Sequence, residues 1–195
     1  MNTPVTNSQF VRSMPLRLMV AGAISCYAIS SFTGQHLVVF NHPKFSADYN
    51  GLIVSLTGRF LDDKYTTDQS TPIVEFARTR CDKAAYGVMC SCQGGTPYAF
   101  VCLVNSVGEG AMWVCNVNGD LAIGDYITTS SIAGYGMHQD DDVTHGYTVA
   151  KSSVKVAFGS LPSWMPTKRF KFTDPFDREI KFVTAAFIPV TYHCA

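Results

Sequence analysis

The chain has 195 residues, enough for one domain of ordinary size or one domain with an ordered arm. Its 15 Lys and Arg balance 15 Asp and Glu, and charged residues make up 15% against 47% hydrophobic, a composition suited to a large core and apolar contact surfaces. That balance excludes the basic stripe a nucleic-acid binder needs to neutralise phosphates; Lys168, Arg169 and Lys171, the nearest approach to one, read as a solvated loop.

Taken in chain order, residues 1–13 are polar and read as a terminal arm without a core of its own. The apolar run Leu18–Ile29 is shorter than the roughly 20 residues a bilayer helix requires, and Met14-Pro15 interrupts a signal-peptide pattern. A buried strand pair, or an arm that contacts neighbouring subunits, is the expectation there, with no membrane span. Residues 36–40 (HLVVF) form a β-branched run closed by Pro43. Asn50-Gly51 opens a second run at Leu52–Val54, which Thr57-Gly58 is expected to end, and Asp62–Ser70 reads as a loop. Ile73–Phe76 resumes a strand.

The punctuation then becomes regular. Tyr86–Met89 precedes an expected turn at Gln93-Gly94-Gly95, and the apolar run 98–104 is expected to break at Gly108 and Gly110 before Ala111–Cys115. Asn118-Gly119-Asp120 carries a strong hairpin signal. Asp125–Thr129, Tyr147–Ala150, Val154–Phe158 and Ile180–Cys194 are further strand-like runs, and the prolines at 162, 166 and 175 make residues 160–178 a long excursion. Apolar residues rarely recur at helical spacing. The prediction is an all-β fold, a compact sandwich or barrel of short antiparallel strands (residues 50–195) preceded by an extended arm (residues 1–49).

Seven cysteines, at 26, 81, 90, 92, 102, 115 and 194, are an odd number without regular spacing, and no Asn-X-Ser/Thr acceptor occurs. Reduced, buried thiols are therefore expected. Cys90 and Cys92 would share one strand face, and with Cys102 and Cys115 they could form a four-thiolate zinc site, although paired CxxC knuckles are absent. The cluster His138, Asp140, Asp141, Asp142 and His145 has the donors for a divalent cation but the spacing of no familiar motif, so a solvated acidic loop is the simpler reading. Gly108-Glu109-Gly110 lacks the GK[ST] ending of a phosphate loop. A self-cleaving nucleophile has candidates in Ser106 near Glu109, in Thr128 to Ser131, and in Lys151-Ser152, and no GxSxG elbow singles one out. No catalytic, cofactor or metal residue is assigned.

The stretch Asn105–Asn116, continued by Asn118-Gly119-Asp120, Gly124–Ser130, Gly134-Tyr135-Gly136, Gln139–Asp142 and Tyr147–Lys151, resembles a module of structural proteins in large DNA viruses of algae and their relatives. It is also similar to the peptidase G2-like C-terminal domains of phage tail spikes and appendages, which act as intramolecular chaperones and cut themselves off. Gly51–Ser55 and Thr191–Cys194 look like the outer boundaries of the same module. The resemblance implies a virion protein assembled in the host cytoplasm, a minor capsid or appendage component whose partners are other capsid proteins and copies of itself, a trimer among the forms. About 50 residues precede the module in place of a long fibre, which favours a permanent structural role over autoproteolytic release. A receptor- or glycan-binding tip around Tyr135, His138 and Tyr147 is a third expectation.

Overall fold

The structure, a computed structural model, describes residues 33–193 except 45, 66, 68–69, 97–98 and 174–177, together with 17–18 and 24–25. The chain divides into two units at Phe32/Thr33. In the first, Arg17–Leu18 (β1) pairs antiparallel with Ile24–Ser25 (β2). The expected polar arm at 1–13 and most of the Leu18–Ile29 run lie outside the described residues.

The second unit is a ten-stranded sheet folded back on itself into a sandwich-like body. Its strands are Thr33–Phe40 (β3), Ile53–Tyr65 (β4), Ser70–Phe76 (β5), Ala85–Thr96 (β6) and Ala99–Cys115 (β7). They continue as Tyr126–Thr129 (β8), Gly136–His138 (β9), Thr148–Ser152 (β10), Thr167–Thr173 (β11) and Ile180–His193 (β12). The helical elements among the described residues are two short 3-10 turns, Ala47–Tyr49 and Asn116–Asn118. The fold is all-β, as the alternating runs and turn residues predict.

Pairing closes two circuits that share β7. One runs β7–β6–β4–β5–β3 and back to β7 through residues 99–108, with β3 and β5 parallel. The other runs β7–β12–β10–β8–β9 and returns at the parallel pair Val114↔Gly136. Closure gives most strands neighbours on both sides, which satisfies backbone donors and acceptors that an open sheet would leave at its edges. Among the described residues, β11 alone of the sheet's strands has a single neighbouring strand, β12.

Two apolar clusters fill this frame. The first gathers Met112, Val114, Ile127, Val149, Ile188, Val190 and Tyr192 inside the second circuit. The second gathers Val38, Phe40, Val54, Val74, Cys102 and Val104, and extends to Trp113, Cys115, Met137 and Ala185. The C-terminal half of β7 thus buries both faces, Met112 and Val114 into one cluster and Trp113 and Cys115 into the other. This is why its sequence there is an unbroken apolar run rather than an alternation.

Several expected breaks are strand interior instead. β4 passes through Gly58, whose φ of 76° falls within a register shift, and extends to Tyr65 across part of the expected loop. Gln93-Gly94-Gly95 lies in β6, again at a register shift, and Gly108 and Gly110 lie in β7. Asn118-Gly119-Asp120 is a turn but not a hairpin: it leads to the isolated bridge Leu121↔Val156, and β8 pairs with β9 and β10. Val156 is the bridging residue of the expected 154–158 strand. The proline-rich excursion contains β11, whose exposed and half-buried residues alternate between Pro166 and Pro175. Cys92 and Cys102, expected to be reduced, are registered partners on β6 and β7 and form a disulfide.

Gly110 is required by a close approach. A Cβ built there falls 2.5 Å from the Tyr192 ring, whose hydroxyl donates to Ala111 O at 2.8 Å. Gly110→Ala is therefore expected to cost about 1–3 kcal/mol in urea unfolding. Gly159→Ala, with nothing within 4 Å of the added carbon, is expected to leave the midpoint unchanged. Equal midpoints for the two variants would sink this account of Gly110.

Candidate functional site

The circuits meet near the middle of β7, and the ladder is irregular there. β3 pairs Gly34 with Val107 and Gln35 with Asn105, so Ser106 is the extra residue of a β-bulge. A bulge re-aims the side chain it carries. Ser106 is 2% exposed, and its Oγ lies 2.8 Å from His36 Nε2 and 3.1 Å from Gly34 O. When the single hydroxyl proton is donated to Gly34 O, His36 Nε2–H donates to Ser106; when it is donated to His36, the pair has the form of a nucleophile and its base.

Ser106 and His36 open onto a cavity of about 430 Å³ whose wall also includes Lys83, Tyr86, His145 and His193. Lys83 comes from the turn before β6, Tyr86 from β6, His145 from the loop before β10, and His193 from the end of β12. His36 packs on Tyr86 at 5.5 Å and His193 meets Tyr126 edge-on at 6.1 Å, contacts that orient both imidazoles. His145 stacks on Tyr147 at 4.6 Å and bonds both oxygens of Asp141 at 3.0 and 2.9 Å.

The sequence flagged Ser106 and His145, but not His36, Lys83 or His193. Ser106 is partnered by His36, 70 positions away, rather than by Glu109. No short-range pattern signals that pairing, because strand register creates it.

The acidic loop is organised by its own hydrogen bonds. Buried Gln139 donates to Asp141 Oδ1 at 2.9 Å and Val143 O at 2.7 Å, and accepts from Thr148 Oγ1 at 2.7 Å. Asp140 accepts from Asn118, and His138 pairs with Asp125 at 3.3 Å. No group of three or more His, Cys, Asp or Glu among the described residues is placed to hold a metal ion.

Four of the other candidate hydroxyls are occupied by structural bonds. Thr128 donates to Tyr147 O, Thr129 to Thr79 O, Ser130 to Tyr135 O and Ser152 to Val154 O. All four are buried. The four thiols do not converge: Cys92 and Cys102 are bonded together, while Cys115 is buried beside Ser130, and that burial pushes its thiol up.

Tyr135, grouped with His138 and Tyr147 in the expected tip, contacts Trp113 and Phe170. It lines an open groove of about 680 Å³ with Ile132, Phe170 and Phe172. Burial raises its phenol, and the nearby Cys115 and Asp48 act in the same direction. This groove adjoins the single-neighbour strand β11, which carries Lys168, Arg169 and Lys171 and no acidic residue. Phe182 and Ile180, on the paired segment of β12, are 76% and 65% exposed.

No protein-family model, curated protein or solved structure matches the chain.

Asp141 is held below the ordinary carboxylate range, chiefly by the His145 hydrogen bond and then by the Val143 N–H. Because its folded pKa is depressed, the unfolded chain binds this proton first. The stabilisation is thus complete above the ordinary value near pH 4, and is lost as pH falls through the folded value. Asp141→Asn is expected to flatten the acid limb of melting temperature against pH, measured from about pH 6 to about pH 2. An acid limb identical to that of the unmodified protein would rule Asp141 out as its source.

Proposed function

We propose that the chain is a structural component of a virus particle, a minor capsid or appendage protein that assembles through protein–protein contacts. The observation that carries the assembly reading is β11, the strand of the sheet with one neighbour, set beside exposed apolar side chains on β12. Strand addition lets a second chain satisfy the open backbone groups while its side chains reach the flanking surface. The occupant we assign is a carboxylate-bearing strand of a neighbouring capsid subunit, because β11 presents Lys168, Arg169 and Lys171 without an acid. Low overall charge suits dense packing, where like charges would otherwise repel. The virion setting, and copies of the same chain as partners, rest on the resemblance of residues 105–151 to virion modules.

Native mass spectrometry over a concentration series, with intact mass read after denaturation, tests this reading. The expected result is an uncut chain that self-associates, most simply as a trimer, with β11 amides protected from hydrogen exchange in the oligomer. Ile180→Lys with Phe182→Lys is expected to weaken association by roughly tenfold or more, as loss of buried apolar anchors does. A monomer at every concentration with unprotected β11 amides overturns self-assembly through this edge.

A second reading is favoured by the 2.8 Å contact between His36 and Ser106: an autoproteolytic chaperone domain. Ser106 Oγ would attack a peptide carbonyl, its proton passing to His36 and then to the leaving amine, and water would hydrolyse the resulting ester. Two fragments with one junction, abolished by Ser106→Ala, would establish it; a chain that stays whole counts against it.

A further inference from the structure

We propose that the cavity at the Ser106 bulge is a binding site for a tetrahedral oxyanion of the phosphate type. The wall brings Lys83 together with the imidazoles of His36, His145 and His193, adds the hydroxyls of Ser106 and Tyr86, and contains no carboxylate. A cation would need carboxylate or other lone-pair donors converging on one point. A phosphate offers acceptors in every direction and needs N–H and O–H donors with positive charge. Lys83 supplies an ammonium group, and the imidazoles supply ring N–H donors.

His145 is bonded in turn to the Asp141 carboxylate. The carboxylate oxygens accept from His145, from the Val143 N–H at 3.1 Å and from Gln139 at 2.9 Å. Those bonds fix the His145 ring and surround the carboxylate with donors. The volume, about 430 Å³, exceeds that of a bare phosphate and leaves space for a small polar group attached to it. The site draws on both circuits, since His36 is on β3 and His193 is on β12. It is independent of assembly through β11.

The chain has five histidines, so its imidazole C–H signals in a carbon–proton NMR spectrum are few enough to assign with single His→Gln variants. The full chain is titrated with inorganic phosphate, glucose 1-phosphate and glucose. The expected result is saturable movement of the His36, His145 and His193 signals with both phosphates, little movement of His42 and His138, and none with glucose. Tighter binding of the sugar phosphate identifies an esterified ligand, whereas equal binding identifies the free ion.

Lys83 is exposed, so Lys83→Met is expected to fold normally and to weaken either phosphate by roughly tenfold, as loss of a charged hydrogen-bond donor does. Non-saturable shifts, equal shifts at all five histidines, or full affinity in Lys83→Met would overturn the proposal.

Discussion

β7 belongs to two closed circuits of strand pairing at once, and the rest of the body follows from that constraint. Its N-terminal half lies between β3 and β6, and its C-terminal half runs beside β12 and touches β9 at Val114. A strand shared in this way has few backbone groups left for water, so its hydrogen bonds are protected along most of their length. It must also bury side chains on both faces where the circuits overlap, and Met112 to Cys115 supply them. Removing β7 would open both circuits together, which ties the stability of one half of the body to that of the other.

Where the two circuits meet, the ladder between β3 and β7 is interrupted. Over a few residues it carries the bulge at Ser106, the positive φ of Gly108, and the Gly110 contact with Tyr192. These irregularities place a buried hydroxyl against an imidazole and leave the histidine-rich cavity beside them. The polar atoms this buries are accommodated: among the described residues no buried side-chain nitrogen or oxygen lacks a hydrogen-bond partner. The cavity thus lies beside the irregular stretch of the ladder.

Closure also concentrates exposed pairing capacity. With both circuits complete, β11 is the strand of the sheet left with one neighbour, and lysine and arginine there oppose indiscriminate edge pairing. Lys168 lies 4.3 Å from the Trp113 ring centroid and Lys171 lies 5.3 Å from that of Phe182, so these cations also cover aromatic faces.

The sequence by itself determined the all-β character and the position of many strands. The runs at 36–40 and 73–76, residues 126–129 of the run at 125–129 and the described part of the run from 180 fall on strands, because alternation and β-branched residues report a pleated, half-buried surface directly. Glycine was ambiguous: at 58, 94, 108 and 110 it marks register shifts, a positive φ or a close ring contact within a strand, and the local sequence of such a site resembles a turn. β11 was hidden by the prolines around it, which end the strand without forbidding it. The disulfide, the His36–Ser106 pair and the cavity were decided by tertiary structure alone. Each depends on register between strands, across as many as 70 positions for His36 and Ser106, and a one-residue slip would turn the same side chains to opposite faces.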